Sequence, residues 1–595
     1  MPHTTERPRP SRPALLLLLL LAGVLVVAPR ARAQDDAPVV DAAPVVPTAT
    51  PSAAPPTSTP TEGPPTPTHT TTSTPLPTAT VTPTLVPPRD PVGLVIYDIV
   101  VSGTHPWLRP QVFPGFEAPL RRLYESDGLA PLWVRDGRPT AQAQAMIAAL
   151  GEADARGLSS ADYGVTGLRD AAQRLAQAST PSAEEIGRFD AALSIETLRY
   201  VSDTYLGRID PRSVDFPYDA PRRRFDPAVV AREIAEGADP TARLAQLDPP
   251  FPQFGYLRDA LPRYRELAAR TDLAAVPRLP KLRPGDTDPG VPALRARLAV
   301  LGDLPADAPA PAHPEYYDAA LADAVKHYQD RHGLAADGVV GAATLQALQV
   351  PIRDRVEQIE LAMERMRWLP YEWPPRFIVV NIPEFRLRAY TPGSGALPLE
   401  MNVVVGEAEL ARKHKTPVLM ADMRYLVFRP YWMVPPSIVK KELAPKIARD
   451  PSYLARNDME IANGRIRQRP GTRNSLGLVK FIFPNPHHVY LHDTPSKGLF
   501  ARARRDFSHG CIRVANPPAL AEFVLAETPG WDRARIDRAM RSGPNDRHVP
   551  LSTPIPVYLL YATAVADEAG QVHFFDDIYG HDASLRRQLA KGYPY

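Results

Sequence analysis

Cys511 is the only cysteine among 595 residues, and it stands in the run Phe507-Ser508-His509-Gly510-Cys511-Ile512-Arg513-Val514. A lone thiol has no partner for an internal disulfide, so it is either an inert buried side chain or a reactive one. Its neighbours favour reactivity. A thiol is mostly protonated near neutrality, and an adjacent imidazole activates it by taking the proton. His492 and His509 are the candidate bases. His509 lies two residues from Cys511 in a tight turn that hinders in-line proton transfer, so His492 is the expected base. Asp493, by its carboxylate or its carbonyl, is the expected orienter of the His492 ring. Gly510 permits a backbone shape that frees nearby N–H groups to face a developing oxyanion. The rival reading is a zinc site of His492, His509 and Cys511. It lacks a fourth ligand, and no His-Glu-x-x-His helix exists, so neither a metal nor a cofactor is expected. His487 and His488 read as surface residues.

These side chains need elements to hold them. Val489-Tyr490-Leu491-His492 reads as a strand, which sets Tyr490 and His492 on one face. Asn516-Pro517-Pro518 is a helix start, with Leu520, Phe523 and Val524 as the buried stripe that follows. Cys511 is thus expected on a glycine-containing turn a few residues before that helix. Upstream, Phe377–Ile382, Arg386–Tyr390, Asn402–Gly406 and Tyr425–Phe428 are strand candidates, as are Val557–Tyr561 and Val572–Phe575 further on. The reactive run therefore belongs to a β-rich domain.

The remaining chain is divided by composition. Arg7, Arg9 and Arg12 precede an apolar block, Ala14 to Ala28, and Ala31-Arg32-Ala33 offers small residues for signal cleavage. Export to the periplasm is expected, with cleavage after Ala33, or with an inner-membrane anchor if the segment is kept. A Pro/Thr/Ser spacer follows, with 15 of the 71 prolines in residues 34–90, and is too poor in apolar area to fold. From Pro91 to about Asp272 the pattern is helical, with an amphipathic run from Ala191 to Leu206, and the carboxylates of this whole region read as solvent-facing. Pro277 to Val350 holds three short helices punctuated by Gly302, Gly333 and Asp337-Gly338-Val339-Val340-Gly341. Ile352 to Leu369 is one more helix. A net charge of +3 gives no reason to expect nucleic acid.

His492 followed nineteen positions later (511 minus 492) by the cysteine of Ser508-His509-Gly510-Cys511-Ile512-Arg513 resembles the signature of L,D-transpeptidases with a YkuD-type catalytic domain. Asn381–Leu387, Val403–Gly406 with Thr416–Val418, Tyr431–Ile438 and Asp576–Gly580 extend the resemblance. Ala324–Leu334 with Asp337–Gly341 and Thr344-Leu345 is similar to a three-helix peptidoglycan-binding module. The order of parts resembles the large multidomain Gram-negative branch. The expected fold is multidomain α+β: a signal (1–33), a disordered linker (34–90), a helical scaffold (91–274), the three-helix module (275–350), a linker helix (351–375), the catalytic domain (376–563) with a lid-like insertion at about 430–480, and a C-terminal strand and tail (564–595).

The resemblance implies a reaction. Cys511 attacks the third residue of a peptidoglycan tetrapeptide stem, D-alanine leaves, and a side-chain amine of another stem resolves the thioester into a crosslink. His492 is then the base, and Tyr490 with the Cys511 amide holds the oxyanion. His509, Ser508, Arg513 and Trp432 are expected near substrate, Arg513 either steadying the loop or holding a carboxylate, and Trp432 as part of a lid. Carbapenem-type β-lactams are implied as covalent inhibitors. Hydrolysis of the same acyl-enzyme (carboxypeptidase or endopeptidase), or stem binding without catalysis, are the alternatives.

Overall fold

The computed structural model describes residues 85–594, except 217–224, 273–275, 306, 310, 396 and 409–413. The signal-type segment, its cleavage site and nearly all of the Pro/Thr spacer lie outside the described residues.

The scaffold region is built around one helix, Ala183–Leu206, started by a reciprocal cap between Ser182 and Glu185. Its residues from Phe189 to Val201 are all buried. A helix enclosed on every side has no solvent face for its charges. The expectation that its carboxylates face water therefore fails for Asp190, Glu196 and Asp203, which are buried. Each has a partner instead. Asp190 accepts from the Tyr124 hydroxyl (2.6 Å) and from the N–H groups of Leu132 (2.9 Å) and Trp133 (2.6 Å). Glu196 pairs with Arg199 at 2.7 Å, and Asp203 accepts from Tyr163 at 2.9 Å. Loss of hydration still pushes Asp190 and Asp203 up to about 6 and Glu196 up to about 7.

The three-helix module consists of Val291–Leu301, Ala319–Arg331 and Ala342–Gln349 around Leu294, Leu298, Leu321, Val325 and Tyr328. It is tied to the C-terminal region through Arg331, which grips Asp303 at 2.6 and 2.5 Å and donates to the Val572 carbonyl at 3.2 Å. His332 stacks between Tyr328 and Phe574.

Helix Ile352–Met366, expected as a linker, is a buried strut. Fully buried Glu364 accepts from the backbone N–H groups of Arg208 (2.5 Å) and Ile209 (3.1 Å). Arg367, also fully buried, donates to the carbonyls of Thr204 (3.2 Å) and Arg156 (2.5 Å). Arg365 meets Asp582 at 2.5 Å, which also accepts from Thr563. The C-terminal region is more than a strand and tail: Ala564–Ala566 pairs with Val572–Phe574, and helix His581–Leu589 follows.

The catalytic region holds a nine-stranded sheet: β1 (Phe377–Asn381), β2 (Arg386–Tyr390), β3 (Leu399–Gly406), β4 (Leu419–Phe428), β5 (Val479–Ile482), β6 (Leu491–His492), β7 (Asp506–Ser508), β8 (Ile512–Val514) and β9 (Arg547–Leu560). Its order is β7-β3-β8-β6-β5-β4-β9-β1-β2, and β2 also pairs with β3, so the sheet closes on itself. Closure removes most free edges, and the alternate residues fill an apolar interior. Between β4 and β5 lies an insertion with its own sheet, Trp432–Met433, Arg465–Gln468 and Met459–Ala462, and its own small core of Val434, Ile438, Leu443 and Met459.

Removing Glu364 takes the acceptor from the Arg208 and Ile209 N–H groups and the buried counter-charge from the Arg208 and Arg367 guanidiniums. Glu364→Ala is expected to cost about 3–5 kcal/mol in urea denaturation. Glu357→Ala, which removes a half-exposed pair with Arg586, is expected to cost under about 1 kcal/mol. Equal losses for the two contradict the strut.

Candidate active site

Two very short strands bring the reactive residues together. β6 and β8 run parallel, with Leu491 beside Ile512 and His492 beside Arg513. The Ile512 N–H donates to the Tyr490 carbonyl at 3.0 Å, which carries the same register back to Tyr490 and Cys511. Side chains alternate along a strand, so Leu491 and Ile512 share one face and Tyr490, His492, Cys511 and Arg513 share the other. Leu491 and Ile512 are fully buried in the sheet interior. They fix the register, because a slip of one residue would put them in water and the site in the core. Cys511 lies on the expected glycine-containing turn, directly before the short strand Ile512–Val514, and the helix Pro517–Leu525, capped by Asn516, follows.

The turn before β8 is held from inside. Gly510 has φ +110°, a conformation open to glycine and costly for other residues. A Cβ there would find only ordinary contacts, so the backbone angle and not crowding requires glycine. Its N–H donates to the Ser508 hydroxyl at 3.2 Å. Its carbonyl accepts from Thr416 at 2.8 Å. Ser508, expected near substrate, is buried, and its hydroxyl donates to the Cys511 carbonyl at 2.5 Å. It is a turn-holding residue. The Cys511 N–H has no hydrogen-bond partner among the described residues, which leaves it free for an oxyanion.

His492 is buried, and its Nδ1 lies 2.5 Å from the Asp493 carbonyl. A carbonyl only accepts, so Nδ1 carries the proton and Nε2 keeps the lone pair. Of the two expected orienters, the carbonyl does this. The Asp493 carboxylate faces elsewhere, accepting from the Leu478 and Thr494 N–H groups (2.8 and 2.7 Å) and from Lys497 (2.5 Å). It fits because residue 477 is glycine, whose absent Cβ would sit 2.3 Å from the carboxyl carbon.

Burial governs the charges. Desolvation, then the Arg513 guanidinium, pull His492 down to about 3. Desolvation raises the Cys511 thiol, opposed by hydrogen bonds from the Tyr490 backbone and hydroxyl and by the charge of Arg513. The resting pair is thus a neutral thiol and a neutral imidazole. The Tyr490 ring stands 5.8 Å from that of His492, edge to face. Arg513 is half-buried; its Nε has no hydrogen-bond partner, and it forms no ion pair among the described residues.

His509 is turned away from the thiol's base. Its Nε2 meets Glu442 of the insertion at 2.9 Å, and its ring packs edge-on against His414 at 4.8 Å. Trp432, expected near substrate, is half-buried against the insertion's own core. Glu442 and His414 carry no sequence signal of their own. Thr416 lay within a matched segment, but its bond to Gly510 appears only in three dimensions.

Residues 118–261 match a scaffold domain, 287–348 a peptidoglycan binding domain, and 375–536 the YkuD L,D-transpeptidase catalytic domain. Residues 375–536 thus belong to the YkuD family of L,D-transpeptidase catalytic domains. Over 229 residues the chain is 33% identical to a Haemophilus influenzae protein named as an L,D-transpeptidase. That match covers 35% of this chain and 45% of the relative, so the chain spans under half of that protein's length. Two solved structures are similar in part. One is an L,D-transpeptidase from Xylanimonas cellulosilytica (18% identity, TM-score 0.17, 48% of this chain and 99% of that one). The other is a fused zinc-dependent amidase/peptidase/peptidoglycan-binding domain-containing protein from Clostridium acetobutylicum (13% identity, TM-score 0.15, 48% and 100%).

A raised thiol pKa keeps Cys511 protonated at neutrality, and its thiolate grows as pH rises. Alkylation by iodoacetamide is expected to be slow at pH 7 and still climbing above about pH 8.5, with no step between pH 5 and 8 from His492. A rate already at its plateau at pH 7 indicates a preformed thiolate–imidazolium pair and contradicts the assignment.

Proposed function

We propose that the protein is a periplasmic L,D-transpeptidase that joins the third residues of peptidoglycan stems through a Cys511 thioester. The observation that carries the reading is the shared face of Tyr490, His492, Cys511 and Arg513 beside an unpartnered Cys511 N–H. His492 Nε2 takes the thiol proton as Sγ attacks the carbonyl of the third residue of a tetrapeptide stem. The Cys511 N–H and the Tyr490 hydroxyl hold the oxyanion. Collapse breaks the peptide bond, His492 returns the proton to the leaving D-alanine, and the acyl group stays on sulfur. A side-chain amine of a second stem then attacks the thioester and frees the thiol. Arg513, a cation without a protein counter-ion beside the sulfur, suits a donor carboxylate. Carbapenem-type lactams, acyl donors of the same kind, trap Cys511 in this scheme. The apolar block and Ala31-Arg32-Ala33 support a place outside the cytoplasm, and the match over 287–348 supports contact with the wall.

Incubation with tetrapeptide muropeptides is expected to give crosslinked dimer and free D-alanine by mass. Cys511→Ala abolishes both with an unchanged circular dichroism spectrum, and Tyr490→Phe lowers D-alanine release about a hundredfold. Tripeptide without dimer makes the protein a hydrolase on the same thioester. Turnover by Cys511→Ala removes the cysteine mechanism.

A further inference from the structure

The main-chain oxyanion donor is one end of a peptide unit. In a trans peptide the C=O and the N–H point in opposite directions from one rigid plane, so whatever holds the Gly510 carbonyl also aims the Cys511 N–H. Gly510, at φ +110°, is a residue with little power to hold that plane by itself. The Thr416 hydroxyl holds it, donating to the Gly510 carbonyl at 2.8 Å and accepting from the Gly406 N–H at 2.9 Å. Thr416 is 1% exposed, so water does not compete for these bonds. The approach requires glycine at 406, where a Cβ would lie 1.9 Å from the His414 carbonyl oxygen and 2.6 Å from the Thr416 nitrogen. The Cys511 N–H is thereby directed away from Thr416, to a side where no group among the described residues accepts from it.

Thr416 is held in turn by the C-terminal segment. The buried Tyr579 hydroxyl donates to the Gly406 carbonyl at 2.5 Å and accepts from the Thr416 N–H at 3.2 Å, so one phenol bridges both backbones. Desolvation pushes that phenol up to about 12, and it keeps its donor proton. Its own placement is fixed from several sides. The Tyr579 N–H donates to the Tyr561 hydroxyl at 2.8 Å, Tyr561 donates to Asp577 at 2.8 Å, and Lys415 donates to the Tyr579 carbonyl at 2.6 Å. The second Asp577 oxygen accepts from the N–H groups of Asp582 (3.0 Å) and Ala583 (3.2 Å), in the first turn of helix His581–Leu589. The run Asp576–Gly580 lies beyond residues 375–536, the part matched to the catalytic domain.

We propose that Tyr579 and Thr416 are positioning residues for the oxyanion. Through Gly406 and Gly510 they set the plane of the Gly510–Cys511 peptide, and with it the direction of the Cys511 N–H. This rests on the acyl-transfer reading above. Both side chains are buried and act through the peptide unit. When Sγ adds to the acyl carbonyl, the electron pair moves onto oxygen, and an N–H already aimed there needs no reorganisation. Without the Thr416 hydroxyl the glycine lets that plane rotate, and the donor faces the oxyanion only part of the time. The His492 ring is held separately, by β6 and the Asp493 carbonyl. Loss of the brace therefore weakens oxyanion binding and leaves the base and the thiol as they were.

The test separates oxyanion stabilisation from thiol reactivity. Release of D-alanine from tetrapeptide muropeptides reads the first. Alkylation of Cys511 by iodoacetamide, a displacement that forms no oxyanion, reads the second. Tyr579→Phe and Thr416→Val are each expected to lower kcat for D-alanine release at least ~tenfold. KM, and the alkylation rate at about pH 9, are expected to stay within about twofold. Thr416→Ser keeps the hydroxyl and is expected to retain most of the turnover. The double variant is expected to lose little more than the worse single one, because both act through one chain of bonds. Tyr163→Phe, which removes a buried hydroxyl bonded to Asp203 in the scaffold region, is expected to leave kcat unchanged. Unchanged kcat in Tyr579→Phe, an alkylation rate that changes as much as kcat, or an equal loss in Tyr163→Phe overturns the positioning role. Failure of the unaltered protein to release D-alanine removes the underlying acyl-transfer reading instead.

Discussion

The parallel pairing of β6 with β8 is the constraint on which the site depends. Only two residue pairs define it, Leu491 with Ile512 and His492 with Arg513. The buried faces of Leu491 and Ile512 oppose slippage, and the opposite face then carries Tyr490, His492, Cys511 and Arg513. Thr416, Ser508 and Gly510 lock the turn that enters β8, and the Asp493 carbonyl locks the imidazole that leaves β6. Much of the surrounding barrel-like sheet serves as a frame for these few strand residues.

That frame fixes the electrostatics as well. A solvated Cys–His pair readily separates charge, but here desolvation disfavours both the thiolate and the imidazolium. Beside Arg513, both the Cys511 thiol and the His492 imidazole therefore rest uncharged. Such a thiol reacts slowly with external electrophiles near neutral pH.

Much of this was legible in the residues. β1 and the end of β3 (Val403-Val404-Val405) are apolar, β-branched runs, and the three short helices of the module announce themselves through glycine stops at Gly302 and Gly333. Cys511 and His492 stood out by type and spacing. What escaped was written only in tertiary contacts. Ile512–Val514 is a three-residue strand between a glycine turn and Asn-Pro-Pro, and nothing local separates it from a loop; its pairing makes it a strand. Asp190, Glu196 and Asp203 lie on a helix whose periodicity suggests one wet face, but neighbours cover that face too. The role of Ser508 within its own turn depends on a hydroxyl rotamer. Glu442 reaches His509 across 67 residues of chain, from an insertion with a separate core.

The central claim is that an uncharged imidazole, protonated at Nδ1, faces an uncharged thiol across β6 and β8. Nitrogen-15 NMR of the His492 ring in the resting protein measures this directly. The account predicts one neutral Nδ1–H tautomer, unchanged from pH 5 to pH 8, as a group with a pKa near 3 requires. An imidazolium at pH 7, or the Nε2–H tautomer, contradicts it.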